Sequence, residues 1–463
     1  MLRKKTTNSK VVDISIVVAT NRSIDCLIEI LKSIYRTSSL NIELIVVNDD
    51  PGRKVINSDF DSFFLEFNNT NDIFLDLKII NNDKNRGPGF SRNCGIKAAK
   101  GLYVLFIDDD DEFDLSVLRI LSDIQKKPDI ICLGFEDTSN VFTNYALQKK
   151  LPPSKIFEIQ KLQQAFLDNV FLPAQIQPYL FNKVFLTKNN IQFPNAFVGE
   201  DLAFNTMAML KAKTVFNIPG FFYKYISRPG TLKSSQGIER SIDLLSCLVD
   251  INNFKNQAGV LDKIPQKFCY EIMCFYQSLF CMRVLLASNK TENIIDQTAL
   301  QANYDIKLIR DVFNNKIPVN EIKDNIENIA DDVKKICIKE LLPLLHNYHK
   351  VFVFCVGSLG RAVARLVSEG CNKKVIFVDA MFDKFPTNKV DGLSIVSPEF
   401  LYNHNEEKCV IVCNPQPAIE KKIAEAITKN EISAGCENSS LIFGSELIKE
   451  SASSFFGKCE VLF

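Results

Sequence analysis

The sequence lacks an excess of charge of either sign. Among 463 residues, Lys+Arg and Asp+Glu both number 55, so the formal net charge is zero. A nucleic-acid-binding protein needs a basic excess to displace counterions from the phosphates, and none is present. The sequence therefore predicts no nucleic-acid partner, and no overall attraction to an anionic membrane surface.

Residues that commonly bind zinc are few. The chain has three histidines (His346, His349 and His404), and its 14 cysteines include no CxxC pair. A zinc site with the usual Cys/His spacing is not expected. The basic start, MLRKKTTNSK, leads into a short apolar run that contains Asp13, which indicates a strand and not an export signal. We therefore expect reduced cysteines in a cytoplasmic protein.

Long uninterrupted apolar runs are also missing. The most apolar long stretch is residues 268–287, which Glu271, Gln277 and Arg283 interrupt. A membrane span needs about 20 predominantly apolar residues with few or no charges. This stretch is typical of a buried amphipathic helix.

Length and pattern predict an α/β protein with several domains. The prior of about 150 residues per domain gives two to four. Residues 1–235 alternate apolar strand-like runs with helical patterns, which indicates a parallel sheet buried on both faces, an α/β domain of nucleotide-binding type. Residues 236–345 have helical periodicity and predict a helical connector. Residues 346–463 return to strands and predict a smaller Rossmann-like α/β domain.

Acidic clusters follow two of the predicted strands of the first domain. The strand at 43–50 ends in Asp49 and Asp50, and the strand at 102–111 ends in four consecutive aspartates, Asp108–Asp111. Ligands of such sheets bind outside the carboxyl ends of the strands. Carboxylates without histidine or thiol partners suit Mg²⁺ or Mn²⁺ together with a diphosphate. The alternative is an acidic turn in water that caps the following helix, and both interpretations stay open.

A glycine-rich segment, residues 82–101, lies between those strands. Gly87 permits backbone conformations that other residues avoid. Arg92 and Asn93 start a helix predicted to run to Lys100, and an arginine at a helix start can bind a phosphate or a base edge. The alternative is a surface loop in which Arg92 forms an ordinary ion pair.

In this order, the motifs VVAT-N, VVNDD and NRGPGFSRNCGIKAAKGLYVLFIDDDDEF resemble the signature of family-two glycosyltransferases with the GT-A fold. The resemblance covers roughly the first half of the chain. A second segment, FVGEDLAF, resembles the family's Glu-Asp pair ahead of a helix. The residues at matching positions are Gly87, Arg92, Asn93, Gly95, Ile96, Ala99, Gly101, Asp108, Asp110, Asp111, Glu200 and Asp201.

The resemblance implies roles for these residues. Asp201, 91 residues after Asp110, would be the catalytic base of an inverting displacement. Asp110, with Asp108 as its neighbour on the ribose or the metal, would bind Mg²⁺ or Mn²⁺. The residues expected to bind the nucleotide sugar are Thr20, Asn21, Asp49, Gly87, Arg92, Asn93, Asp108, Glu200 and Arg228.

Two points qualify the resemblance. Asp109 stands where many family members have a small residue, which leaves the choice of metal ligand among the four aspartates open. Asp201 has an alternative role as the N-cap of a helix, a position that aspartate favours. The motif context favours the catalytic role.

The last domain resembles a shortened dinucleotide-binding unit. Gly357 and Gly360 match the fingerprint, Cys355 stands at its first glycine position, and Asp379 follows Gly357 by 22 residues. The stretch also resembles small Rossmann-like modules attached to bacterial surface-polysaccharide enzymes. With a glycine missing and no visible catalytic residue, a structural or assembly module is favoured over NAD binding.

Together these patterns predict a metal-dependent inverting glycosyltransferase. Its donor would be a nucleotide sugar, a UDP-sugar being favoured, and its acceptor a hydroxyl of a glycan or lipid-linked molecule in bacterial surface polysaccharide assembly. We expect a cytoplasmic protein, with peripheral association with the inner membrane as a further expectation. Three alternatives remain: a non-catalytic GT-A-like scaffold, a nucleotidyltransferase that would not need Asp201, and an NAD-dependent oxidoreductase centred on the last domain.

Overall fold

The computed structural model describes most of the chain. The described residues are 12–37, 40–67, 75–137, 150–169, 172–225, 239–259, 262–287, 311–314, 316, 318–380, 389–402, 408–413, 417–434 and 439–458. The chain forms two compact units. Unit 1 comprises Met1–Ser234 and Asp250–Cys269, and unit 2 comprises Ser235–Val249 and Tyr270–Phe463.

Unit 1 is built on an eight-stranded sheet with the order β3-β2-β1-β4-β9-β6-β10-β8, and on a small sheet with the order β5-β11-β7. The strands of the two sheets are β1 (Ile14–Thr20), β2 (Ile42–Asn48), β3 (Leu75–Asn81), β4 (Tyr103–Phe106), β5 (Glu112–Phe113), β6 (Ile130–Cys132), β7 (Phe135–Asp137), β8 (Ile156–Glu158), β9 (Tyr179–Asn182), β10 (Thr214–Asn217) and β11 (Tyr223–Tyr225). β3, β2, β1 and β4 pair in parallel, whereas β9 pairs antiparallel with both β4 and β6.

Helices connect these strands and cover the sheet. They are α1 (Ile24–Thr37), α2 (Asp61–Phe67), α3 (Pro88–Ala98), α4 (Ile159–Asn169), α5 (Lys183–Lys188) and α6 (Glu200–Lys211), with 3₁₀ helices at Asn57–Phe60 and Leu115–Asp123. β1, β2 and β4 are mostly apolar and buried because both faces of the sheet are covered there, whereas the edge strand β3 is only partly buried.

The order of the strands reverses between β1 and β4. β1, β2 and β3 proceed outward on one side, and the chain then returns to place β4 on the other side of β1. Parallel α/β sheets bind ligands at such a switch point, beyond the carboxyl ends of the strands. Thr20 ends β1 at this point, and Asp108–Asp111 follow β4 there.

The α/β fold class is confirmed, and three element boundaries are corrected. The prediction that the fourth strand reaches Asp111 is wrong: β4 ends at Phe106, the last residue that pairs with β1. The second strand ends at Asn48 and not at Asp50, and α3 ends at Ala98 and not at Lys100. The aspartates lie beyond the strands because their side chains bind partners from other elements.

Unit 2 contains a six-stranded sheet with the order β14-β15-β13-β12-β16-β17. Its strands are β12 (Lys350–Phe354), β13 (Lys374–Val378), β14 (Lys389–Val390), β15 (Leu393–Val396), β16 (Lys408–Val412) and β17 (Ser439–Phe443). All neighbours pair in parallel except β14 with β15. This is the smaller α/β fold that the sequence predicts for residues 346–463.

The regular structure of the described residues in 239–345 is helical. The described helices there are α7 (Glu239–Ala258), α8 (Lys263–Ala287), the 3₁₀ helix Val319–Asn325 and α9 (Ile326–Leu345). The described helices after residue 345 are α10 (Ser358–Arg365), α11 (Pro398–Tyr402), α12 (Pro417–Ala434) and α13 (Gly444–Lys458). A π-helical turn, Leu366–Gly370, continues α10. Helices at 239–345 agree with the predicted connector, but the division into 1–235, 236–345 and 346–463 stays a prediction.

One helix of the described residues is long and apolar enough to cross a membrane. Lys263–Leu286 spans 24 residues, and 56% of its most apolar window is buried inside the protein. Core helices of globular proteins meet the same criterion, so this helix is weak support for a membrane span.

Candidate active site

The candidate site begins at the switch point between β1 and β4. The Thr20 hydroxyl, at the end of β1, donates a hydrogen bond to the Asp109 carboxylate, beyond the end of β4. On the other side of β1, the backbone N–H of Asp49 donates to the Thr20 carbonyl oxygen at 2.7 Å. The two acidic clusters predicted from the sequence therefore meet around Thr20.

Arg92, on α3, binds three carboxylates at this edge. Its Nη1 donates to Asp201 Oδ1 at 2.7 Å and to Glu200 Oε1 at 3.0 Å, and its Nη2 donates to Asp108 Oδ1 at 3.0 Å. The Arg92 side chain is 6% exposed, and its guanidinium carbon lies 5.5 Å from the centre of the Phe193 ring. Burial alone would lower the pKa of Arg92. The three carboxylates raise this pKa by more than burial lowers it, so the guanidinium stays charged. The interpretation of Arg92 as an ordinary surface ion pair does not fit this burial.

Glu200 and Asp201 form the first turn of α6. The N-cap of α6 is Gly199, with a left-handed φ of +87°, so helix capping does not account for Asp201. The Asp201 side chain is 19% exposed, whereas that of Glu200 is 8% exposed. Burial, and then the charge of Asp201, raise the pKa of Glu200, and Arg92 opposes this change. Asp201 is the more accessible of the two carboxylates.

The four consecutive aspartates, Asp108–Asp111, have different partners. Both carboxylate oxygens of Asp108 accept hydrogen bonds, Oδ1 from Arg92 and Oδ2 from Gln177 Nε2 at 2.6 Å. Asp111 accepts from the Tyr223 hydroxyl at 2.6 Å, and the same hydroxyl accepts from the Asp108 backbone N–H at 3.3 Å. Tyr223 is fully buried and fixes the turn at both ends. The cap of the following 3₁₀ helix is Asp114, not one of these four residues.

Asp109 and Asp110 face Arg22, which lies just beyond β1. Arg22 Nη2 is 2.7 Å from Asp110 Oδ2, and Arg22 Nε is 3.4 Å from Asp109 Oδ1. Burial raises the pKa of Asp109 to about 6, Asp108 and Asp110 act in the same direction, and the Thr20 hydrogen bond and Arg22 oppose it. Asp109, which stands where many family members have a small residue, therefore contacts residues at and just beyond the end of β1, Thr20 and Arg22.

Asp49 holds the glycine-rich segment. Its Oδ1 accepts from Asn82 Nδ2 at 2.7 Å and from the Arg86 backbone N–H at 3.0 Å, and its Oδ2 accepts from the Gly87 backbone N–H at 2.8 Å. Gly87 has a φ of +85°, which a residue with a Cβ adopts only with strain. Asp49 thereby fixes the start of α3, the helix that carries Arg92.

Two of the predicted binding residues, Asn93 and Asn21, lie apart from this network. The Asn93 side chain pairs with the backbone of Phe193, donating to its carbonyl oxygen at 2.9 Å and accepting from its N–H at 2.8 Å. Asn21 is exposed beyond the end of β1. Arg228 lies outside the described residues. The Asn93 contacts indicate a positioning role for that residue.

No group of three or more His, Cys, Asp or Glu side chains is arranged to hold a metal ion among the described residues. Mg²⁺ usually binds one or two carboxylates together with substrate phosphates and waters. Asp110 fits that pattern as a single carboxylate ligand, because its side chain lies beyond the end of β4 and stays 15% exposed. Asp108 is less suited, since both of its oxygens accept hydrogen bonds from protein side chains.

Sequence reasoning missed two contributors to the site. Arg22 and Gln177 belong to none of the motifs, and their partners become clear only in three dimensions.

Comparison with known proteins tests the resemblance. The family model "Glycosyl transferase family 2" matches residues 15–185. The succinoglycan biosynthesis protein ExoO of Rhizobium meliloti is 30% identical over 307 residues, which are 62% of this chain and 80% of ExoO. The chain belongs to glycosyl transferase family 2. The prediction from the motifs is confirmed at the level of the family.

Two further proteins are similar. The cholesterol galactosyltransferase of Borreliella burgdorferi is 26% identical over 239 residues, 49% of this chain and 64% of that protein, so the chain spans less than two thirds of this relative. The structure of S. aureus TarS 1-349 in complex with UDP-GlcNAc is 18% identical, covers 77% of this chain and 89% of that chain, and has a TM-score of 0.43.

The predicted nucleotide-site residues of unit 2 also converge. Gly357 is the N-cap of α10, and Asp379 Oδ2 accepts from the Val356 backbone N–H at 3.1 Å. A Cβ on Gly360 would lie 2.0 Å from the Cys355 carbonyl oxygen, so this position requires glycine. Cys355 itself has a φ of +77°, the conformation of a glycine, at the fingerprint position where glycine is missing. The unit has the fingerprint's backbone geometry, and binding of NAD stays a prediction that the sequence disfavours.

Proposed function

We propose that this family-two protein is a metal-dependent inverting glycosyltransferase. It would transfer a sugar from a nucleotide-sugar donor, with a UDP-sugar favoured, to a hydroxyl of a glycan or lipid-linked acceptor. The process would be bacterial surface polysaccharide assembly, as the name of the relative ExoO suggests. The protein would act in the cytoplasm, at the inner face of the membrane where lipid-linked acceptors lie.

The observation that carries the proposal is the convergence of acidic residues from distant parts of the chain. One buried guanidinium, that of Arg92, contacts Asp108 and Asp201 at 3.0 and 2.7 Å. Asp49 is linked to the same edge through Thr20. If these carboxylates faced different surfaces, they could not act on one small molecule. Their arrangement supports a single site that takes a nucleotide sugar.

The proposed reaction is a single displacement. The acceptor oxygen forms a bond to the anomeric carbon of the donor, and the bond from that carbon to the diphosphate oxygen breaks. The acceptor proton passes to the Asp201 carboxylate, and the nucleoside diphosphate leaves with the bonding electron pair. A positioned base accelerates such a reaction by roughly 10²–10⁴-fold. Arg92 holds Asp201 in place through a hydrogen bond of 2.7 Å.

The remaining residues would bind the donor. Asp110 would hold Mg²⁺ or Mn²⁺, and such an ion stabilises the negative charge that develops on a departing diphosphate. Asp49 would accept a hydrogen bond from the nucleobase, and Asp108 would contact the ribose. Because Asp49 already binds the Arg86 and Gly87 N–H groups, the nucleobase would meet a prearranged carboxylate.

A donor panel tests the proposal. The full chain is incubated with Mn²⁺ or Mg²⁺ and with several nucleotide sugars, and release of the nucleoside diphosphate is measured. Donor hydrolysis needs no acceptor, so metal-dependent release from one sugar nucleotide is expected before the acceptor is known. Release of pyrophosphate from a nucleoside triphosphate and a sugar phosphate would instead favour a nucleotidyltransferase. Neither donor binding nor turnover, with any nucleotide sugar, would favour a non-catalytic scaffold.

A further inference from the structure

The inference concerns Arg22, which binds the two central residues of the aspartate turn. Asp108 accepts hydrogen bonds from Arg92 and Gln177, and Asp111 accepts one from Tyr223. Asp109 and Asp110 are engaged by Arg22. The Arg22 guanidinium therefore contacts Asp110, the carboxylate proposed as the metal ligand.

Arg22 has a fixed backbone and a solvent-accessible side chain. Its backbone N–H donates to the Thr20 hydroxyl at 3.1 Å, which anchors the residue at the end of β1. Its side chain is 42% exposed, while those of Asp109 and Asp110 are 7% and 15% exposed. The carboxylates are thus mostly covered, whereas the guanidinium that contacts them remains accessible to solvent.

We propose that Arg22 is an internal competitor of the divalent cation: it binds Asp110 in the empty enzyme and releases it when the metal and the diphosphate enter together. This inference rests on the proposed metal site at Asp110. The guanidinium, with Nη2 at 2.7 Å from Asp110 Oδ2, occupies part of this carboxylate and places a positive charge beside any cation bound to it, so the two compete for Asp110. Asp109, on the Nε side, keeps the released arginine close to the site.

A coupling between metal and donor follows. The metal alone has to displace Arg22 and then lies beside its positive charge, which weakens binding. When a diphosphate is present, the displaced guanidinium gains a new anionic partner, because arginine binds phosphate oxygens well. Metal and nucleoside diphosphate should therefore strengthen each other's binding, and each by the same factor. Arg22 would add to the coupling that arises when the metal binds the phosphates directly, as a positioning residue and not as a catalytic one.

The experiment measures Mn²⁺ binding by the full chain, from the electron paramagnetic resonance signal of free Mn²⁺, with and without uridine diphosphate. The variants are Arg22→Gln and Asp110→Asn, and Arg119→Gln is the control because it removes the same charge from an exposed position on the 3₁₀ helix Leu115–Asp123. Arg22→Gln should bind Mn²⁺ alone about fivefold more tightly than the wild type, the range expected for loss of a partly exposed ion pair. It should also show a smaller gain on addition of uridine diphosphate.

Each result separates the two proposals. Tighter Mn²⁺ binding by Arg22→Gln, with no change for Arg119→Gln, supports the competition. The competition is overturned if Asp110→Asn weakens Mn²⁺ binding but Arg22→Gln binds Mn²⁺ as tightly as the wild type or more weakly. That result leaves the proposed function intact. If the wild type binds no Mn²⁺ even with uridine diphosphate, the proposed metal site fails, and the inference fails with it. Because Arg22 is exposed, Arg22→Lys gives a folded second variant, which should tighten Mn²⁺ binding less than Arg22→Gln does.

Discussion

Asp201 accepts a hydrogen bond of 2.7 Å from Arg92, whose other terminal nitrogen donates to Asp108. Asp108 and Asp201 lie 93 positions apart in the sequence: Asp108 follows the end of β4, and Asp201 lies in the first turn of α6. One buried side chain thus sets the distance between the carboxylate proposed as the base and the aspartate turn proposed to bind the donor. The geometry of the site depends on this arginine.

The proposed base can be tested by replacing Asp201 with asparagine. Asparagine keeps the shape and a hydrogen-bond acceptor for Arg92 but cannot take a proton at neutral pH. We expect sugar transfer to fall by roughly 10²–10⁴-fold, while donor binding changes little. The measurements are the turnover number for nucleoside diphosphate release and donor affinity by calorimetry.

Glu200→Gln is the matched control for that experiment. Burial raises the pKa of Glu200, so an uncharged amide of the same shape is a suitable replacement for this side chain. Its activity should remain within about tenfold of the wild type. Turnover of Asp201→Asn at the wild-type rate would remove Asp201 from the mechanism.

Arg92→Lys tests the arginine itself. Lysine keeps the positive charge but lacks the planar fork that contacts three carboxylates, so one or two of them lose their partner. We expect the free energy of unfolding to fall by about 2 kcal/mol, and by about 3–5 kcal/mol for Arg92→Ala, which leaves the buried charges unpaired. Urea denaturation measures both changes. The control is Arg119→Lys, at an exposed position on the 3₁₀ helix Leu115–Asp123, where the expected change is below about 0.5 kcal/mol.

The proposed metal dependence rests on Asp110. Chelation by EDTA should abolish nucleoside diphosphate release, and added Mn²⁺ or Mg²⁺ should restore it. Asp110→Asn removes a charged oxygen ligand and should require a much higher metal concentration for half-maximal activity. Asp123→Asn changes the same residue type at an exposed position and should behave as the wild type. Full activity in EDTA would contradict the metal-dependent mechanism.

The edge that carries the site could be predicted from the sequence. Continuous apolar runs separated by helices indicate a parallel sheet, and the carboxyl ends of such strands share one edge. In the structure Asp49 and Asp109, one from each acidic cluster, both bind Thr20. The glycine-rich helix start and the Glu-Asp pair added Arg92 and Asp201 through the family resemblance.

The partners of the individual aspartates could not be predicted. A run of four aspartates looks uniform in sequence, yet Asp108 binds Arg92 and Gln177, Asp111 binds Tyr223, and Arg22 contacts Asp109 and Asp110. Gln177 lies 69 residues from Asp108, and nothing in its local pattern indicates the contact. The end of β4 was misplaced for a related reason: the pairing with β1 stops at Phe106, and side-chain contacts shape the chain beyond it.

A buried carboxyl group outside the site gives a pH prediction. Burial raises the pKa of Asp250, on α7, from 3.8 to about 6. Between about pH 4 and 6 the folded chain then binds a proton that the unfolded chain has lost, so this group lowers stability as pH rises, and its full penalty is present above pH 6. Asp250→Asn should raise the free energy of unfolding by about 1–3 kcal/mol at pH 8, and by less at pH 5. Urea denaturation of both proteins at the two pH values checks this, and an equal effect at both would contradict it.

The backbone of unit 2 gives the last prediction. Cys355 adopts a φ of +77°, and a residue with a Cβ in this region carries a strain of about 1–3 kcal/mol. Glycine removes that strain but gives the unfolded chain more freedom, which costs about 0.4–1 kcal/mol. Cys355→Gly should therefore stabilise the protein by about 1 kcal/mol, measured by urea denaturation. Cys371→Gly is the control, because its φ of −105° gives glycine no advantage and the loss of a buried side chain should destabilise the fold. The gain at Cys355 should leave nucleoside diphosphate release unchanged, since this residue belongs to unit 2 and the proposed site to unit 1. A destabilised Cys355→Gly variant would show that the thiol's own contacts outweigh the strain.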